Sequence, residues 1–212
     1  MKTSILAAGI MLAAVAGNAH AGLKLPSLTK SSDAAASSTP APSGDALIVA
    51  FQASQGSVIA AQHALATALD LKAEVAKLDA ESKRYGSGQL DLDAMKKSRE
   101  ISAAAQAVID AKIAEKPVLT AAQREQFTGG LVHYGKALIG ARELVLQAQQ
   151  FTSSVGSNPM ALMGKARTAL WVGKETPGYV KGLGTTTRQL FSFAKSSGIK
   201  PPANATAALD DL

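Results

Sequence analysis

Residues 46–69 read ALIVAFQASQGSVIAAQHALATAL, and none of them carries a formal charge. Leu47, Phe51, Ser54, Val58, Ala61, Leu65 and Ala68 follow one another at alternating spacings of four and three, the seam of a helix packed along its length. Ile48 and Ile59 widen that seam. A helix apolar around most of its circumference has to be surrounded by others, so this stretch predicts the central rod of an all-α bundle. Ser43 or Asp45 supplies its N-cap, and the pattern continues through Leu71, Val75 and Leu78 to Arg84, where Tyr85-Gly86-Ser87-Gly88 breaks it. Some 40 residues at about 1.5 Å each would span roughly 60 Å, so an elongated bundle is expected unless Gly56 kinks the rod.

Four more helices follow from the same reasoning. Asp91 or Asp93 opens the second, which turns Met95, Ile101, Ala105, Val108, Ile109 and Ile113 inward and is stopped by Pro117. Thr120 opens the third, with Gln123 completing a capping box, and Phe127, Leu131, Tyr134, Leu138, Ala141, Val145 and Ala148 repeat the four-three spacing of the first. Two long helices with one seam period are expected side by side at a shallow angle. Gly129, Gly130, Gly135 and Gly140 each cost helix stability, so close backbone approach is expected there. Asn158-Pro159 predicts a fourth helix to about Val172, and Thr176-Pro177 a fifth with Val180, Leu183, Leu190, Phe191 and Ala194 inward, ended by Gly198 and Pro201-Pro202. The expectation is an elongated antiparallel bundle of about five helices over residues 45–200, its first and third helices long, followed by a flexible tail at 201–212.

The segments outside the bundle have their own signatures. Lys2, an apolar run over residues 5–16, and Ala19-His20-Ala21 form a secretory signal with its cleavage site, which predicts export to a bacterial periplasm or beyond. Residues 22–44 are rich in Ser, Ala and Pro and read as a disordered linker. There is no cysteine, which excludes disulfides, zinc–thiolate sites, iron–sulfur clusters and thiol nucleophiles. Asn204-Ala205-Thr206 matches a glycosylation acceptor that a bacterial setting makes idle.

Charge is unevenly distributed. Residues 22–158 hold 14 basic and 13 acidic side chains, whereas Lys165, Arg167, Lys174, Lys181, Arg188, Lys195 and Lys200 face Glu175 alone over residues 159–200. The basic surface of the last third could meet anionic lipid, an acidic protein or only solvent. Without interleaved aromatic readers, and in an exported chain, nucleic acid is not the expected partner. Lys165, Arg167, Lys174, Lys181 and Arg188 are the candidate contact residues. Trp171 and Tyr179 lie close by and are expected in the core rather than at a bilayer.

No catalytic constellation is legible. His63 and His133 fall on different helices without a metal-ligand spacing, and Gly173-Lys174 lacks the upstream glycine of a phosphate loop because Thr168 stands there. Asp91 and Asp93 begin like a calcium loop, but Met95 and Ser102 occupy positions that need oxygen ligands and a bidentate Glu. No nucleophile elbow or dinucleotide fingerprint occurs. The expectation is a non-enzyme without cofactor or metal.

Leu119-Thr120-Ala121-Ala122-Gln123 resembles the LTxxQ signature of the Spy and CpxP type of periplasmic chaperones. That resemblance implies an exported all-helical protein whose basic concave surface cradles unfolded clients. It covers five residues, and the second copy of the family motif is missing. Three roles are compatible with these features. The first is a periplasmic binding or accessory protein, chaperone-like or otherwise, acting through the basic C-terminal surface on a protein or the anionic envelope. The second is a membrane-active protein whose uncharged first helix and Gly129–Gly140 region rearrange onto lipid, although Gln52, Gln55, Gln62 and His63 make insertion costly. The third is a carrier of a small ligand or metal. The long seam could close within one chain or between two copies.

Overall fold

The computed structural model describes residues 43–88, 90–157 and 166–210, all within the unit formed by residues 38–212. The signal segment at 1–21, nearly all of the linker, the Asn158-Pro159 cap and Lys165 lie outside the described residues. Among the described residues every regular element is a helix: α1 (Gly44–Ala68), α2 (Lys72–Gly86), α3 (Leu92–Ala114), α4 (Ala121–Ser157), α5 (Ala166–Ser196) and α6 (Ala203–Asp210).

The α1 seam is buried at every position, from Leu47 and Phe51 through Leu65 and Ala68, and its neighbours are α4, α2, α5 and α3. The most extensive contact is with α4. Gly44 lies against Phe151, Ser54 against Ala137, and Ala61 and Leu65 against Gly130, so the two helices run in opposite directions. On α4 the seam residues Phe127, Leu131, Tyr134, Leu138, Ala141 and Ala148 are buried, and Val145 is half-buried. Phe51 meets Trp171 edge-on at 5.6 Å and Tyr179 at 5.2 Å, which sets α5 alongside α1 and places both aromatics against the core. Val108, expected inward on α3, is 38% exposed.

Three expectations about the helices are corrected. The long first helix is two helices, because Asp70 takes a left-handed conformation (φ 57°) and Leu71 N–H returns to Ala66 O at 2.8 Å. Aspartate tolerates that region better than most residues, and the Gln123 amide donates to its Oδ2 at 2.8 Å. α2 then folds back on α1, with Tyr85 against Gly56 and His63 Nε2 3.0 Å from Asp79 Oδ1. The expected fourth and fifth helices form the single helix α5, with Pro177 inside it. Val172 and Gly173 before the proline and Tyr179 after it are buried on one face, and Thr176 Oγ donates to Val172 O at 2.8 Å. Packing on both sides carries the helix past a residue that ends isolated ones. Residues 203–210, expected as a frayed tail, form α6 with Ala205, Ala208 and Leu209 buried.

Glycines on α4 divide by face. A Cβ on Gly130 would stand 2.7 Å from Leu65 Cδ2 and 3.1 Å from Ala61 O, and one on Gly135 would stand 2.5 Å from Ala205 Cβ. Gly129 has nothing within 4 Å. Adjacent substitutions should therefore act in opposite directions. In denaturant titrations, Gly129→Ala is expected to gain up to about 1 kcal/mol of stability from helix propensity. Gly130→Ala is expected to lose about 1 kcal/mol or more through overpacking, and equal stability for the two variants would show that α1 does not press on Gly130.

Candidate functional site

Continuity of α5 changes what its basic residues amount to. Arg167, Lys174, Lys181, Arg188 and Lys195 are separated by seven residues each, all are exposed, and Glu175 is the helix's one acidic residue. Seven residues fall roughly 20° short of two turns, so the five cations occupy a band roughly 80° wide. They run about 42 Å along the axis. Between them on the same face stand Gly178, Thr185 and Ser192, also exposed. Among the described residues none of these cations forms an ion pair with an acidic side chain. Of the expected contact residues, Arg167, Lys174, Lys181 and Arg188 thus lie on one line. Lys195 joins them and was absent from the expected set, and Lys165 is outside the described residues. A seven-residue interval was present as arithmetic in the sequence, but a helix break at Thr176-Pro177 would have scattered it over two directions.

A second feature lies inside the bundle. α3 and α5 flank a cleft of about 280 Å³ floored by Val58, Gln62 and Tyr134, with Arg99 and Asp110 on its α3 side. Its polar groups are joined. Gln62 Nε2 donates to Ser102 O at 2.9 Å and to Gln106 Oε1 at 3.2 Å, while Ser102 Oγ donates back to Gln62 Oε1 at 2.9 Å. The Tyr134 hydroxyl bonds Gln106 Oε1, and Gln106 Nε2 donates to Asp110 Oδ1 at 2.7 Å. Tyr179 shares a 2.8 Å hydrogen bond with Ser54, and the Arg99 guanidinium lies 4.8 Å from the Tyr179 ring centroid. Arg99 and Asp110 have no ion-pair partner among the described residues, so the cleft presents a cation toward one end and a carboxylate toward the other. Sequence reading missed this site because its members come from four helices.

Comparison with protein-family models, with curated protein sequences and with solved structures gives no match. The functional reading therefore rests on the residues themselves.

The capping box exists as written. Thr120 N–H donates to Gln123 Oε1 at 2.9 Å and Gln123 N–H to Thr120 Oγ at 3.3 Å, and the same Gln123 amide holds Asp70. His63 pairs with Asp79, and His133 is half-buried on α4, where burial and Lys136 lower its pKa. Among the described residues no three His, Asp or Glu side chains converge as a metal site would need, and no helix is long and apolar enough to cross a membrane.

All three tyrosines have hydroxyl pKa values raised above the ordinary value of 10.0, with burial as the main cause. For Tyr85 the Ser98 hydroxyl acts in the opposite sense, although neither hydroxyl makes a well-formed hydrogen bond. A raised folded-state pKa contributes stability that is complete below the unfolded value and is lost as pH rises past it. Stability should therefore decline above about pH 10. Tyrosinate absorbance should stay flat in the native protein and rise only together with loss of the helical circular dichroism signal. A tyrosine ionising while the helices persist would contradict the buried placement.

Proposed function

We propose that this chain is an exported binding or accessory protein of a bacterial periplasm, an antiparallel helical bundle that engages an anionic partner through the outer face of α5. The observation that carries the reading is the line of five exposed basic residues on one uninterrupted helix. Long cationic side chains in a row, without an ion-pair partner among the described residues, raise the local potential, which suits attraction of a negatively charged surface. The signal-like segment at residues 1–21 supports the compartment. A chaperone-like role, in which the partner is an unfolded client, is compatible with the same face and with the LTxxQ resemblance.

A second reading is favoured by the cleft. Carriage of a small polar molecule would use Arg99 and Asp110 as the charged ends and the Gln62–Gln106–Tyr134 network as a fixed floor. It is tested by a thermal-shift screen of zwitterionic metabolites, where a ligand raising the melting temperature of the parent but not of Arg99→Ala would support it.

The leading reading is tested on the exposed face. Lys174→Glu, Lys181→Glu and Arg188→Glu combined should leave the melting temperature nearly unchanged, since each site is exposed and unpaired. Immobilised parent protein should retain acidic periplasmic material in low salt and release it as salt rises, whereas the triple variant should retain none. Identical retention by both proteins would remove α5 as the binding face.

A further inference from the structure

The spacing along α5 carries more than a sign of charge. Arg167, Lys174, Lys181, Arg188 and Lys195 repeat at seven without exception, in step with the buried Ala169, Thr176, Leu183 and Leu190 on the opposite side of the helix. The geometry points to a partner that is itself a helix, carrying carboxylates at every seventh position and winding along α5 in a shallow left-handed crossing. This inference rests on α5 being the binding face and names what that face recognises.

Three observations favour a helix over a lipid surface. First, the cations drift steadily around α5, by roughly 80° in all, and a partner in left-handed supercoil follows that drift, whereas a plane touches a straight helix along one line. Second, the residues between the cations are small in three of the four intervals: Gly178, Thr185 and Ser192 let a second backbone come close, a Cβ on Gly178 would meet nothing within 4 Å, and the remaining interval holds the half-buried Trp171. Third, among the described residues the face has no exposed large apolar anchor. Trp171 is half-buried and turned onto Phe51, and the exposed large hydrophobic residues Val49, Val108, Val118, Ile139 and Leu146 lie on other elements. Interfacial membrane helices pair their basic residues with such anchors.

The chain does not supply the complementary helix among its described residues. Glu74 and Glu81 are seven apart but buried and paired with Lys77 and Arg84, and Asp93 and Glu100 make a single further step. The partner is therefore another protein. Contact would be made of exposed ion pairs about 10.5 Å apart, the rise of seven helical residues. Each exposed pair contributes at most about fivefold in affinity, so the complex is expected to be weak, salt-sensitive and dependent on having several pairs in register.

The test uses the full exported chain and two labelled helical peptides of equal length and composition. One carries five glutamates at seven-residue spacing, and the other carries them at irregular spacing. In low-salt fluorescence polarisation the seven-spaced peptide should bind on the order of tenfold more tightly, and Lys181→Glu should weaken it by about fivefold or more. Gly178→Leu, at an exposed site where a Cβ meets nothing within 4 Å, should weaken the same peptide while leaving sedimentation with phosphatidylglycerol vesicles unchanged. Equal binding of both peptides would overturn the helical partner but leave α5 as a general anion-binding face. Vesicle binding with no preference between peptides would assign that face to lipid. No binding of either peptide or vesicles to the folded protein would overturn both the helical partner and the proposed function.

Discussion

Close contact between α1 and α4 is the constraint on which the arrangement depends. Gly130 has no side chain, and Leu65 together with the Ala61 carbonyl occupies the place where one would be. An uncharged helix gains most when water is removed from its whole length, and only a partner with such gaps lets the two backbones approach closely enough to do so. Once α1 is held against α4, its remaining sides are covered by α2, α3 and α5. The outward faces of those helices are then the surfaces left for contact with anything else.

Apolar burial alone would allow the helices to slide. Polar groups buried at the joints fix their level: Ser54 ties Ala137 on α4 to Tyr179 on α5, and Gln62 engages both Ser102 and Gln106 on α3. A slip of one turn would leave these groups unpaired in a low-dielectric interior, at a cost of about 1–3 kcal/mol each. Gln55 is buried without a hydrogen bond among the described residues, whereas Ser54 and Gln62 owe their place in an otherwise greasy rod to this network. The network also lines the cleft, since α3 and α5 both pack on α1 with little direct contact between them.

Pro177 is the hinge between fold and surface chemistry. Had it ended a helix, Arg167 and Lys174 would have belonged to one element and Lys181, Arg188 and Lys195 to another. Burial of Val172, Gly173, Tyr179 and Leu183 on the inner side keeps the helix running, while Pro177 itself faces solvent. The apolar face thus sets the alignment of the basic face on its other side.

What the sequence by itself determined was local and periodic. The four-three seams of α1 and α4, caps at Ser43 or Asp45 and at Asp91 or Asp93, the Thr120–Gln123 box and the stop at Pro117 all follow from neighbours within a turn or two; all are present, the caps being Ser43 and Asp91. What only the tertiary structure decided were outcomes in which distant residues outweigh local preference. Asp70 reverses the chain because α2 has α1 to pack on and Gln123 to hold the turn, and Pro177 is carried through because both sides of it are buried. Residues 203–210 become helical because Ala205 fits over Gly135. The cleft and the single basic line are of this second kind. Their residues were visible one by one, but their juxtaposition depends on packing energies summed over helices far apart in the chain, which no short window of sequence contains.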